Sequence, residues 1–171
     1  MSSDSTNEPP TPSDWQRWLA DHAPKFLLFA RQQSRSEADA QDVVQESVVE
    51  CWQRQGDGTT PPLALVFATV RRRAVDLARS RERRLRRELA ADPPAECWFD
   101  PSAEERERAR LIQDAMTQLP DIYREVITLK VWGGLTFAEI AELLGLPANT
   151  AASRYRYGLA ELRRLTKEVL A

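Results

Sequence analysis

The chain has 171 residues, which admits one ordinary domain or two small ones. Its 24 basic and 26 acidic residues leave a formal charge of −2, which excludes a uniformly basic nucleic-acid binder, while 42% hydrophobic residues and five Trp exclude wholesale disorder. Two distant cysteines, Cys51 and Cys97, one histidine, His22, and six glycines leave little from which to build a zinc site, a Cys/His nucleophile pair or a glycine-rich phosphate loop.

Residues 1–13 are rich in Ser, Thr, Pro and acid, and read as a disordered tail that cannot offset its ordering entropy. Trp15, Trp18, Leu19, Phe26, Phe29 and Ala30 then recur at helical spacing, predicting a helix over Asp14–Gln33 that Pro24 kinks or splits. Ser36 and Asp39 make a capping-box-like start for a second helix, Glu37–Arg54. Its apolar stripe is Ala40, Val44, Val48, Cys51 and Trp52, and Gly56 closes it. The opposite side carries Glu37, Asp39, Asp42, Glu46 and Glu50, by itself an ordinary solvated acidic face.

Residues 55–62 have turn chemistry and predict a loop. Leu63, Phe67, Val70, Ala74 and Leu77 predict a third helix running to about Leu89. Between Arg71 and Arg87 it holds nine Arg against Asp76 and Glu82, a local charge of +7. A helix end settling against its own dipole accounts for a few of these cations. The excess points to a nucleic-acid or acidic-partner surface.

The sign reverses over 88–105, with six acids, no Lys or Arg, and Pro93, Pro94 and Pro101, so residues 91–103 read as a linker. A second helical block follows, over 104–119, 121–131, 136–144 and 148–170. No segment alternates with period two. The expected fold is all-α, with two small helical domains, 14–90 and 104–171, joined by an acidic Pro-containing linker.

Within the second block Thr136 is placed to cap a short helix with Ile140, Ala141 and Leu144 inward, and Gly145 can end it in the left-handed conformation. Asn149 or Thr150 then starts another helix, giving a helix-turn-helix. In that second helix Ala151, Tyr155, Leu159, Leu162 and Leu165 form the inward stripe. Ala152, Ser153, Arg156, Tyr157 and Arg163 therefore point outward, and Arg and Tyr are donors that contact base edges and phosphates in a major groove. The plainer account of these cations is a solvated face in an unrelated bundle.

The order of these parts, with these residues, resembles the extracytoplasmic-function group of bacterial sigma factors. Ala38-Asp39-Ala40-Gln41-Asp42-Val43-Val44-Gln45-Glu46 is similar to that family's Asp-Ala-x-Asp-Leu-Val-Gln-Glu signature, and Arg71 to Asp76 to its Ala-Arg-Asn-x-Ala-x-Asp stretch. Leu119-Pro120, Arg124-Glu125-Val126, Gly134 to Ala141, Leu144-Gly145, Pro147 and Thr150 to Arg154 follow the pattern of the second block. The resemblance covers about Asp14 to Leu165.

It implies a promoter-specificity subunit of RNA polymerase that is not an enzyme and has neither cofactor nor metal. Asp39, Asp42, Gln45 and Glu46 would dock on the core polymerase, on its beta and beta-prime subunits. The loop Arg54 to Ala64 and the helix after it, with Arg71, Arg72, Arg73, Asp76 and Arg79, would capture a flipped base of the melted minus-ten strand. Asn149, Thr150, Ala152, Ser153, Arg154, Arg156 and Tyr157 would read the minus-thirty-five element. The partners implied are core polymerase and promoter DNA, with room for an anti-sigma protein. Arg72 stands at the family's usual Asn, Ala152 at a usual Lys and Tyr157 at a common Arg, departures that bear on promoter specificity.

No charge-free stretch reaches the ~18 apolar residues of a membrane span, and no basic-then-apolar leader opens the chain, so a cytoplasmic location is expected. A stand-alone helix-turn-helix regulator is the principal rival, and it leaves the first block unexplained. A metal-dependent nuclease built on clustered carboxylates is a further one, disfavoured by acids scattered along one side of the second helix.

Overall fold

The computed structural model describes residues 12–56, 59–85 and 106–170. They form the helices α1 (Pro12–Gln33), α2 (Glu37–Gln55), α3 (Leu63–Leu85), α4 (Arg106–Gln118), α5 (Asp121–Val131), α6 (Phe137–Leu144) and α7 (Ala148–Leu170), with no strand among the described residues. The expected end of the third helix at Leu89, the linker over 91–103 and most of the expected tail lie outside them.

α1 begins at Pro12, inside the expected tail, and runs unbroken through Pro24, so the expected split does not occur. Proline removes one backbone donor and crowds the preceding turn. Burial of the following turns compensates: Phe26 and Phe29 are fully buried and meet Phe67 of α3 edge-on, with ring centroids at 4.9 and 5.6 Å. Each such ring contributes about 1.5–3 kcal/mol by leaving water.

α2 opens as expected, with the Ser36 hydroxyl accepting from the Asp39 backbone N–H at 3.2 Å, and closes at Gly56 with φ of 66°. Its buried stripe is Ala40, Val43, Val44, Ser47, Val48 and Cys51. Trp52 departs from the expected stripe: it is exposed and stacks on Trp15 of α1. Inside the three-helix block the Cys51 thiol donates to the Thr69 hydroxyl, which donates onward to the Leu65 carbonyl, so these buried polar groups are satisfied.

In the second block the Arg124 guanidinium donates to the carbonyls of Met116, Thr117 and Leu119 at 2.8–3.1 Å, satisfying the open C-terminal end of α4. Gly158 lets α7 lie directly on α5. A Cβ there would stand 2.9 Å from both Tyr123 Cβ and Ile127 Cδ1.

The two blocks expected as separate domains touch in this structure. Val126, Leu129, Leu135, Ile140, Ala141 and Ala151 share one buried cluster with the apolar residues of α1, α2 and α3. Across the seam Arg71 pairs with Glu125 at 3.1 Å, and the Thr128 hydroxyl donates to Gln32 Oε1 at 2.8 Å. The Nε2 of that same Gln32 is buried without a hydrogen-bond partner. Such a group costs about 1–3 kcal/mol, so part of what the seam gains is cancelled.

Candidate nucleic-acid and docking interface

α2 presents Asp42, Gln45 and Glu46 to solvent at i, i+3 and i+4, on one face. Asp39 does not join them. It is buried at the first turn of the helix, where its backbone is held by Ser36, and this takes it off the exposed face. Beside that face lies an apolar groove of about 790 Å³ between α1 and α2, lined among others by Trp15, Leu19, Gln45, Val48, Trp52 and Trp132. Trp15 and Trp18 stack at 5.0 Å, and Trp15 and Trp52 at 5.7 Å. Sequence spacing does not reveal this groove. Its one local signal is the exposed apolar pair Val49 and Trp52, on a helix whose buried stripe is already complete.

At the rim of the groove Arg31 donates two bonds of 2.8 Å to Glu37. That guanidinium holds the Glu37 carboxyl below its ordinary range against the opposing effect of burial. Burial and the neighbouring Lys25 depress His22.

The cations expected to hold a melted strand are brought together at the start of the Arg run, and three of them are occupied by carboxylates. Arg71 pairs with Glu125, Arg72 with Glu50, and Arg73 with both Glu50 and Glu46. Asp76 and Arg79 are exposed one and two turns further along α3. Sequence spacing does not reveal these pairs, because each joins residues 22 to 54 positions apart.

The helix-turn-helix forms as its residues predict. The Thr136 hydroxyl accepts from the Glu139 N–H at 3.2 Å, and the Glu139 carboxylate accepts from the Thr136 N–H at 2.7 Å, a complete capping box. The Thr136 backbone N–H and then its hydroxyl hold the Glu139 carboxyl below its ordinary value. Gly145 ends α6 with φ of 67°, and Leu146 N–H reaches back to the Ala141 carbonyl at 2.9 Å.

On α7, Asn149, Ala152, Ser153 and Arg156 fall at i, i+3, i+4 and i+7, hence on one face, with Thr150 and Tyr157 flanking it and Arg154 turned aside. Arg156 and Tyr157 are exposed, and the guanidinium lies 5.5 Å from the Tyr157 ring centroid. Tyr155 packs inward, edge-on to Phe137 at 5.5 Å. The arrangement offers one bidentate donor and an aromatic plane beside it, on a helix fixed from behind by α5 and α6. Among the described residues no helix is long and apolar enough to cross a membrane.

Residues 109–162 match the family model for Sigma-70, region 4. The chain is 30% identical over 155 residues to the ECF RNA polymerase sigma factor SigL of Mycobacterium tuberculosis, covering 87% of this chain and 86% of that protein. It is 31% identical over 132 residues to the ECF RNA polymerase sigma factor SigK of a Mycobacterium species, covering 72% and 68%. Among solved structures its fold is similar to the sigma factor RpoE of Bartonella quintana in complex with the anti-sigma factor NepR, at a TM-score of 0.66 and 22% identity, over 91% of this chain and 98% of that one. It is also similar to CnrH in complex with the cytosolic domain of CnrY, at 0.62 and 23%, over 92% and 90%.

Proposed function

Since the chain belongs to the ECF RNA polymerase sigma factors, we propose that its two blocks divide the work of initiation, residues 14–90 docking on core polymerase and holding the melted minus-ten strand, and residues 104–171 reading the minus-thirty-five element. The observation that carries this reading is the pairing, in one chain, of an exposed polar face beside an apolar groove on α2 with a fully capped helix-turn-helix whose second helix exposes Arg156 and Tyr157.

Docking uses Asp42, Gln45 and Glu46 for register, and the groove around Trp15, Trp52 and Trp132 for affinity. An interface of this kind gains most from a buried aromatic centre within a polar rim. The beta and beta-prime subunits of the polymerase supply the partner surface. One structural neighbour is a sigma factor in complex with an anti-sigma factor. The same exposed groove supports an anti-sigma protein as an alternative occupant here, competing with polymerase.

Minus-thirty-five reading uses Arg156 as the bidentate donor to a base edge, with Asn149, Thr150, Ser153 and Tyr157 around it and Ala152 allowing close approach. Minus-ten capture uses Arg71, Arg72, Arg73 and Arg79 against the strand backbone. Arg71 donates to Glu125 through Nε alone, which leaves its terminal nitrogens to a phosphate while the pair stays intact. The protein performs no covalent chemistry in this scheme. It supplies positions, charge and a docking face, and needs no cofactor. Its near-neutral charge suits a factor delivered to DNA by a larger partner, since nonspecific affinity scales with the phosphates a protein neutralises alone.

Co-purification tests the reading. The tagged full chain, incubated with bacterial core polymerase, should elute with it in one complex, and persistent elution of the two as separate species overturns the docking assignment.

A further inference from the structure

Glu50, near the end of α2, receives three guanidinium groups on one carboxylate. Arg54 Nη2 lies 2.8 Å from Oε1, Arg72 Nη2 lies 2.7 Å from Oε1 and 2.9 Å from Oε2, and Arg73 donates to Oε2 through Nε at 2.9 Å and Nη2 at 2.7 Å. Glu46 makes a further contact to Arg73. The Glu50 side chain is only 18% exposed, whereas those of Arg54 and Arg72 are 62% and 51% exposed. A partly buried acceptor therefore anchors three donors, of which Arg54 and Arg72 face outward and Arg73 less so, beside the loop that joins α2 to α3.

Each guanidinium carries five N–H donors; Glu50 takes one or two from each, and Glu46 takes one more from Arg73, so at least three on Arg54 and on Arg72 and two on Arg73 remain for an anion. Without an anchor three neighbouring cations would repel one another and sample many rotamers, and fixing them on a ligand would cost side-chain entropy. Burial alone would raise the Glu50 carboxyl, but the hydrogen bonds from Arg73 and Arg72 outweigh it and hold it below its ordinary range. The anchor stays ionised at neutral pH.

We propose that Glu50 is a positioning residue that gathers Arg54, Arg72 and Arg73 into a preformed phosphate-binding cluster for single-stranded DNA. This rests on the reading of α3 and the segment before it as the strand-capture surface, and assigns Glu50 the part of ordering its cations. The cluster of three Arg with Glu46 and Glu50 is cationic overall by one unit. Charge and positioning therefore make opposite forecasts for the neutral isostere Glu50→Gln. A carboxylate that merely screens the arginines would, on removal, leave tighter DNA binding. A carboxylate that positions them would, on removal, leave weaker binding in spite of the added positive charge.

The probe is a fluorescein-labelled 12-nucleotide oligothymidylate, titrated with the full chain in complex with core polymerase over a series of salt concentrations and read by anisotropy, with core polymerase alone as the baseline. Glu50→Gln should weaken binding about five- to tenfold and flatten the slope of log affinity against log salt by about 0.7 for each phosphate no longer neutralised. Glu50→Asp, which keeps the charge, should recover at least half of the loss, and both variants should keep the helical circular dichroism of the unaltered chain. Equal or tighter binding by Glu50→Gln overturns the proposal, as does a loss with an unchanged salt slope. The double variant Arg72→Ala/Arg73→Ala separates the two levels. If it binds as the unaltered chain does, or if the complex of the unaltered chain binds no more tightly than core polymerase alone, the strand-capture reading falls and the Glu50 proposal with it. If it binds weakly while Glu50→Gln binds normally, only the role of Glu50 falls.

Discussion

Replacing Gly158 by Ala sets two opposing effects against each other at the helix that carries the DNA-facing residues. Alanine in a helix interior is favoured over glycine by about 0.8–1 kcal/mol, so propensity alone predicts a more stable protein. At this position, however, the new methyl group would stand 2.9 Å from Tyr123 Cβ and 2.9 Å from Ile127 Cδ1. Ile127 Cδ1 is the far end of a flexible side chain and can turn away. Tyr123 Cβ is fixed to the α5 backbone and cannot, so α5 and α7 must separate. Overpacking of this kind costs about 1–3 kcal/mol, and with the rigid contact placing it in the upper half, the net loss is about 1–2 kcal/mol. Urea unfolding of the full chain, followed by circular dichroism, measures the difference. Ala160→Gly, at an exposed position on the same helix, calibrates the propensity and should lose about 1 kcal/mol. If Gly158→Ala is instead more stable than the unaltered chain, then α5 and α7 do not lie in close contact, and the DNA-facing helix is seated otherwise.

Reversing charge at Asp42 and Glu46 together should abolish co-elution with core polymerase while leaving helical content unchanged, because both side chains are exposed and off the buried stripe; size-exclusion chromatography with circular dichroism checks this, and retained core binding refutes the docking face. Arg156→Ala should cost about 1–3 kcal/mol on the cognate site and relax the preference at one base position, measured by binding to single-base variants. A uniform loss over all sequences would make Arg156 a phosphate contact instead. Thr136→Ala should destabilise the chain by about 1 kcal/mol at neutral pH. Glu139 is depressed in the folded state by Thr136, so its contribution is present above the unfolded carboxyl pKa and is lost as pH falls through the lower folded value. The penalty of the variant should shrink across that acidic window in denaturant titrations at stepped pH, and an undiminished penalty would show that the carboxylate takes no part in the cap.

Local chemistry accounts for what could be read in advance. The helix-turn-helix rests on Thr136, Glu139 and Gly145, all acting within one turn of their own positions, and its boundaries appear where those residues place them. Ser36 and Gly56 mark the ends of α2 for the same reason. Features fixed by partners distant in the chain could not be read this way. Trp52 continues the apolar spacing of α2 but stacks on Trp15 of α1, and so lines a groove rather than the core. Asp39 belongs to an acidic run yet is buried by its place in the first turn. Pro24 satisfies the rule for a helix break, and the packing of Phe26 and Phe29 overrides it. The Arg run signals charge without showing that Glu46, Glu50 and Glu125 already hold its first members, since those carboxylates come from another helix or another block.

Run-off transcription with core polymerase on genomic fragments tests the division of labour most directly. The unaltered chain should direct initiation from a discrete set of start sites that core polymerase alone does not use, and the Asp42/Glu46 reversal should abolish those transcripts. Transcripts no different from those of core alone, or a full set produced by the reversal variant, would contradict the account.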